Sequence, residues 1–365
     1  MKTINALARA SALALLVGAW LLLCAFDANA TNNCNTTAVE SRPISLGVSG
    51  SNLGSVGGGF CCTGTLGSLV QSGSTQYILS NNHVMATKSG SSLVIQPGLA
   101  DLSCVQNSGY GVADGVSYIP ISRGSNTVDA AIAQVISGDV DSNGTILNIG
   151  NVAAGGAVNP TLNLAVQKMG RTTCVTSGSV TAVNVTIKVR YPTYCNLAFS
   201  GMATFTNQIQ IGPSGFSGAG DSGSLVATTG SCPGAVGLLF AGGSTSTFAN
   251  PMSAVLSDFG VSMVGNACTP TTTVLSATSP SATSALSSHP KSKDVAATAA
   301  VKQRHEAELL AVPGVLGAGV GLSSSGQLVI KVYVEKDTPR VRASIPSTLE
   351  TIPVQIEETG PVVAY

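Results

Sequence analysis

From Ile44 to about Val261 the chain is a succession of short runs rich in β-branched residues: GTLGSLVQ, QYILSNNHV, VDAAIAQVI, SVTAVNVTIKV, NQIQIG, GSLVATT and AVGLLFAGG. Gly, Ser and Asn part them. β-Branched side chains are stiff at χ1 and suit a pleated surface, while Gly and Asn tolerate the backbone of tight turns. Many short strands at fairly regular spacing predict an all-β sandwich or barrel. Helical period is confined to MSAVLSDFG, residues 252 to 260, which would close the β region.

The segments on either side have different chemistry. Residues 1–30 carry Lys2 and Arg9, an apolar run from Ala10 to Ala25 and the small-residue signal ANA, the pattern of a secretory signal peptide cut after Ala30. No later apolar run reaches the ~20 residues of a membrane span, so the mature chain is expected to be exported, to the periplasm or the medium. Residues 269–298 are mostly Thr, Ser, Ala and Pro. They lack the apolar surface to offset chain ordering and read as a flexible linker. Beyond it, residues 299–365 hold a helical stretch, KQRHEAELLAVPGV, stopped by Pro313, then strands GVLGAGVGL, QLVIKVYVEK and VQIEET. A small C-terminal α/β domain is therefore expected after a main domain spanning 31–268.

Charge selects no partner: 9% of residues are charged, Lys plus Arg and Asp plus Glu number 17 each, and no basic block offers a nucleic-acid footprint. Cleavage after Ala30 leaves Cys34, Cys61, Cys62, Cys104, Cys174, Cys195, Cys232 and Cys268, an even set that favours disulfides in an exported chain. Cys174 and Cys195 flank the strand-rich GSVTAVNVTIKVR and are candidates to close a hairpin. No CxxC pair is present and histidines number three, so structural bridges are preferred to a metal site.

Three polar residues stand at strand edges: His83 in LSNNHVMA, Asp129 in NTVDAAIAQV and Ser222 in GAGDSGSLV. His83 is the only histidine before the linker and so the only ordinary candidate for a base near neutral pH. A serine hydroxyl attacks poorly until a histidine takes its proton, and a carboxylate holds that histidine's tautomer and stabilises the imidazolium. Glycine beside the serine lets backbone amides, here those of Gly220 and Ser222, approach a reacting carbonyl as an oxyanion hole.

With GDSGS around Ser222, His83 after YILSNN and Asp129 before AAIA, the chain resembles the trypsin-like, chymotrypsin-fold serine peptidases over roughly 44–264. The spacing, 46 residues from His83 to Asp129 and 93 from Asp129 to Ser222, is close to that family's. The resemblance implies two packed antiparallel β-barrels with a His83–Asp129–Ser222 triad in the cleft, an acyl-enzyme mechanism, a protein or peptide substrate and no metal or other cofactor. It implies a pocket that includes Phe216, six residues before the serine, and a cleft-lining strand at Ala241, Gly242 and Gly243. Phe216 offers no carboxylate, which points away from cleavage after basic residues and toward small or apolar ones.

The departures from the family are local. Asn81, Asn82 and Val84 replace the family's Ala-Ala before the histidine and Cys after it, so its histidine-loop disulfide is absent or rerouted through Cys61 or Cys62. Ser224 replaces a second glycine, and no activation site stands out between Ala30 and Ile44. A noncatalytic protein-binding module on a protease-like scaffold is the alternative reading.

Asp221 either meets a buried cation or frames its turn, and Arg171 in KMGRTTC either orients a cleft loop or caps a strand end, the latter being preferred. An α/β-hydrolase elbow is disfavoured because GDSGS is not GxSxG and no histidine follows Ser222 before the linker. His305 lacks an i+4 partner for zinc, since Leu309 stands there, and GAGVG at 317–321 leads into a strand rather than a helix. For the C-terminal domain, binding to substrate, to a surface or to the protease domain, inhibition of the protease and assistance to folding all stay open.

Overall fold

The computed structural model describes residues 34–275 and 290–364. The signal-peptide expectation for 1–30 and the middle of the linker, 276–289, lie outside the described residues.

The β-branched runs of the first half close into a ring. Its strands are β1 (Val48–Asn52), β2 (Gly64–Leu66), β3 (Ser68–Ser72), β4 (Thr75–Ser80), β5 (Val94–Ile95), β6 (Gly111–Tyr118) and β7 (Ala131–Val135), with the one-turn helix α1 (Asn82–Met85) after β4. β1 pairs β2, and β3, separated from β2 by Gly67 alone, pairs β4; the antiparallel ladder continues β4–β7–β6–β5 and returns to β1. Val48, Leu66, Leu69, Ile78, Val94 and Val112 are buried. A sheet that returns to its first strand removes the open edges that invite aggregation.

A second ring follows: β8 (Ala165–Gly170), β9 (Cys174–Tyr191), β10 (Gly201–Gly212), β11 (Leu225–Thr228), β12 (Ala235–Gly242) and β13 (Thr247–Pro251). Its order is β9–β8–β11–β12–β13–β10 and back to β9, antiparallel throughout. Val166, Val180, Ile209, Val226, Val236 and Leu239 pack in one cluster. The helix α2 (Met252–Phe259) follows β13, where the sequence predicts one, and Gly260 ends it in the left-handed region. Two consecutive antiparallel barrels, with β2 and β3 forming one bent strand, are the chymotrypsin-type architecture. The barrels touch where Thr65 N–H donates to the Ser222 carbonyl at 2.7 Å.

The C-terminal part consists of α3 (Ser292–Ala311), β14 (Val315–Leu322), β15 (Leu328–Val334), α4 (Pro339–Ser344), β16 (Ile352–Glu358) and β17 (Val363–Ala364). α3 opens within the stretch read as linker and stops two residues before Pro313, whose ring disfavours helix in the residue before it. Val301, Leu309, Ala318, Ile330 and Val332 build a small core of its own. β14 pairs β9 antiparallel, so this part extends the sheet of the second barrel.

Disulfides join Cys61 to Cys104, Cys62 to Cys195 and Cys232 to Cys268, and Cys34 and Cys174 are also oxidised. The Cys174–Cys195 hairpin bridge is thereby corrected. These two cysteines stand at either side of an 18-residue strand, whose length separates its ends, and Cys195 is bonded elsewhere. No described helix is long and apolar enough to cross a membrane.

Candidate active site

β4 ends at Ser80, and α1 turns the chain so that His83 points back toward the start of β7. There Asp129, with no exposed surface, places Oδ2 2.6 Å from His83 Nδ1, while the His83 amide makes a longer contact of 3.3 Å to Oδ1. The turn is braced by two asparagines beside His83. Asn81 Nδ2 donates to the Asp129 carbonyl at 2.6 Å and Asn82 Nδ2 to the Ile119 carbonyl at 2.8 Å. Asn250 Oδ1 accepts from the Asp129 amide at 3.1 Å, tying the carboxylate's backbone to β13.

Sequence reasoning misses the next member. Tyr191, at the end of β9, donates its hydroxyl to Asp129 Oδ2 at 2.6 Å and sets its ring edge-on to His83 with centroids 5.7 Å apart. Burial raises the phenol's pKa well above its ordinary value, and the charge of Asp129 and their hydrogen bond add to this. The group therefore stays a donor across the neutral range. A tyrosine ending a strand carries no motif, so only the closed barrel brings it to Asp129.

Ser222 lies in the turn between β10 and β11, also with no exposed surface. Its hydroxyl donates to the Phe240 carbonyl on β12 at 3.1 Å. The amides of Asp221, Gly223 and Ser224 donate to Gly218, Leu239 and Asp221 carbonyls at 3.0, 2.9 and 3.0 Å. Among the described residues the amides of Gly220 and Ser222 donate to nothing. Two buried donors left over in this turn are chemically suited to donate to a developing oxyanion. Gly220 holds φ at +100°, and a Cβ there would lie 2.5 Å from Thr172 Oγ1. This backbone is open to glycine and closed to larger residues.

Asp221 does meet a buried cation. Lys168 Nζ lies 3.4 Å from its Oδ2, and neither side chain has exposed surface. The carboxylate also accepts from Thr172 and Gly218 amides at 2.8 and 2.9 Å and from the Thr173 hydroxyl at 2.7 Å. Lys168 in turn donates to Thr173 Oγ1 and, at 2.9 Å, to the Cys174 carbonyl. Burial lowers the ammonium's pKa and Asp221 partly restores it. Arg171 forks onto Asp101 at 2.8 and 2.5 Å.

A cavity of about 250 Å³ brings together His83, Ala219, Gly220, Cys61, Cys62, Leu197 and Ala364. Phe216 is not part of its lining: the ring packs in the second-barrel core with Val180, Ile211 and Val226. Ala241 and Gly242 end β12 just beyond Phe240, whose carbonyl touches Ser222, and Gly243 follows them. Among the described residues no group of three or more His, Cys, Asp or Glu is placed to hold a metal ion. His305 sits on α3 against Glu308 and Glu350 at 3.5 and 3.6 Å.

The two barrels give the chain the chymotrypsin-type fold. No protein-family model and no curated protein matches the sequence. Among solved structures the chain is similar to a glutamic acid specific serine protease, with 23% identity and a TM-score of 0.42 over 60% of this chain and 100% of that one. It is similar to Thermobifida fusca protease A, with 23% identity and a TM-score of 0.42 over 61% and 99%. It is also similar to Cellulomonas bogoriensis chymotrypsin, with 22% identity and a TM-score of 0.40 over 61% and 99%.

Proposed function

We propose that the protein is a secreted serine endopeptidase in which Ser222 attacks a peptide carbonyl, His83 accepts and returns the proton, and Asp129 orients His83. The observation that carries this reading is the 2.6 Å contact between His83 Nδ1 and a fully buried Asp129 carboxylate. Such a partner fixes the tautomer with the proton on Nδ1 and leaves Nε2 as the base. Attack converts the carbonyl into a tetrahedral oxyanion, for which the unspent amides of Gly220 and Ser222 are the donors. Collapse expels the amine with the proton held by His83, and water then resolves the acyl-enzyme by the same steps in reverse. Lys168 and the threonine shell around Asp221 hold the turn in register before substrate arrives.

A small activated ester tests this with little demand on the peptide groove. Mixing p-nitrophenyl acetate with the full chain should release one equivalent of p-nitrophenol in a burst, followed by slower turnover. Ser222→Ala should abolish the burst. A folded wild type without any burst would contradict the acyl-enzyme and leave the protein-binding module as the reading.

A further inference from the structure

The seven residues from Glu358 to Ala364 run antiparallel to 241–245. Thr245 Oγ1 donates to the Glu358 carbonyl at 2.8 Å, and the amide and hydroxyl of Ser244 donate to the Thr359 carbonyl at 2.7 and 3.0 Å. Gly243 permits this approach, since a Cβ there would lie 2.2 Å from that carbonyl oxygen. Farther on, β17 pairs the end of β12 with Val363 opposite Gly242 and Ala364 opposite Ala241. Val362 is 2% exposed among Tyr191, Phe240, Phe248 and Tyr333, and its carbonyl accepts from the Arg190 amide at 2.9 Å.

The position of that edge gives the contact its meaning. One edge of β12 at Ala241 and Gly242 is taken by Thr247 and Phe248 of β13. On the other, β11 pairs with β12 at Leu225 and Leu238 and begins three residues after Ser222. Past Leu238 the edge passes Ser222, at the Phe240 carbonyl, and continues as Ala241 and Gly242. A peptide whose scissile carbonyl reaches Ser222 therefore has this edge on which to lay its preceding residues as an added strand. β17 already occupies it, and Ala364 shares a cavity with His83 and Gly220.

We propose that Glu358–Ala364 is a built-in competitive inhibitor: it fills the strand-pairing edge that a peptide substrate needs, so the full chain is latent until this segment is displaced. The inference rests on the acyl-transfer reading above. The rest of the C-terminal part anchors the segment. Glu357 accepts from Lys331 at 3.1 Å and from Gln210, and Tyr333 donates to Gln210 Oε1 at 3.0 Å. Lys302 on α3 donates to the Asn184 carbonyl at 2.9 Å. Tethered in this way, a weakly binding segment competes at a high effective concentration with free peptide.

The test compares the full chain with Val362→Asp, which places a charge at a buried position of the segment. Two probes are used: a small fluorophosphonate, which reads Ser222, and succinyl-Val-Val-Ala-p-nitroanilide, which must enter the groove. Both proteins should label at Ser222, while peptide hydrolysis rises at least about tenfold in the variant, as expected when a tethered competitor is released. Acetyl-Gly-Pro-Val-Val-Ala-amide at millimolar concentration should then inhibit the variant competitively. Should Val362→Asp misfold, Val363→Pro keeps an apolar side chain, removes one amide from the strand and is expected to behave alike. Equal hydrolysis by unlabelled wild type and variant, when separate aliquots of both take the label at Ser222, would overturn the inhibitory role and leave the triad standing. Absence of labelling in both folded proteins would overturn both readings.

Discussion

Tyr191 donates its hydroxyl to Asp129 Oδ2 at 2.6 Å, and that same oxygen lies 2.6 Å from His83 Nδ1. One oxygen thus has two buried neighbours, and the phenol's hydrogen bond holds the carboxylate in place beside the imidazole. Tyr191→Phe keeps the ring against His83 and removes only the hydrogen bond. A bond to a charged acceptor contributes about 1.5–3 kcal/mol, so kcat should fall by about tenfold or more with KM little changed. A rise in KM at unchanged kcat would assign Tyr191 to packing alone.

Lys168 governs the serine turn through Asp221. Lys168→Met keeps the apolar stem and leaves Asp221 with hydrogen bonds and no counter-charge, a loss that costs about 3–5 kcal/mol for buried pairs. Thermal unfolding should register the destabilisation, and the ester burst should shrink with it.

The lowered pKa of Lys168 also fixes a sign for pH. Unfolded chain holds the lysine proton up to about 10.5 and folded chain releases it earlier, so this group's contribution to stability rises with pH through that window and is lost as pH falls through the folded pKa. Activity should move the opposite way, falling as Asp221 loses its cation at a pH below the ordinary lysine range. Tyr191 and Tyr333, whose pKa values burial raises, contribute stability below about pH 10 that is lost as pH climbs toward their folded values. Parallel activity and denaturation profiles between pH 8 and 11 separate the lysine from the tyrosines.

Gly220→Ala tests the oxyanion turn. At φ +100°, with its new Cβ 2.5 Å from Thr172 Oγ1 and 2.7 Å from Arg171 Nη1, the variant must shift one of the two free amides. Loss of a single oxyanion donor costs about 3 kcal/mol, so kcat should drop at least a hundredfold while the protein remains folded by circular dichroism.

The Cys62–Cys195 bridge spans 133 residues and flanks the His83 cavity, to which Cys62, Tyr194 and Leu197 all contribute. Cys62→Ala/Cys195→Ala should cost about 4 kcal/mol, a fall in Tm of roughly 10 °C, and should raise KM as the cavity wall loosens.

What the sequence made legible was local and periodic. β-Branched runs announced the barrels, MSAVLSDFG announced α2, and GDSGS, YILSNNH and VDAAIA marked three strand edges, of which the fold sets His83 against Asp129. Contacts made by ring closure were hidden. Tyr191 and Lys168, on strands β9 and β8, reach Asp129 and Asp221 far along the chain, so no spacing rule could pair them, and Cys195 met Cys62 rather than Cys174 for the same reason. Phe216, a pocket expectation drawn from family position, has its ring in the core instead of the His83 cavity. The last strand, Val363–Ala364, is too short for any periodicity to announce it.

The central claim is that Ser222 is an activated nucleophile. Its most direct test is fluorophosphonate labelling of the full chain followed by peptide mass mapping. The account predicts one adduct per chain, on Ser222, absent from Ser222→Ala and slowed by at least about a hundredfold in His83→Ala. An adduct that persists in Ser222→Ala, or a folded wild type that takes up no label, would contradict it.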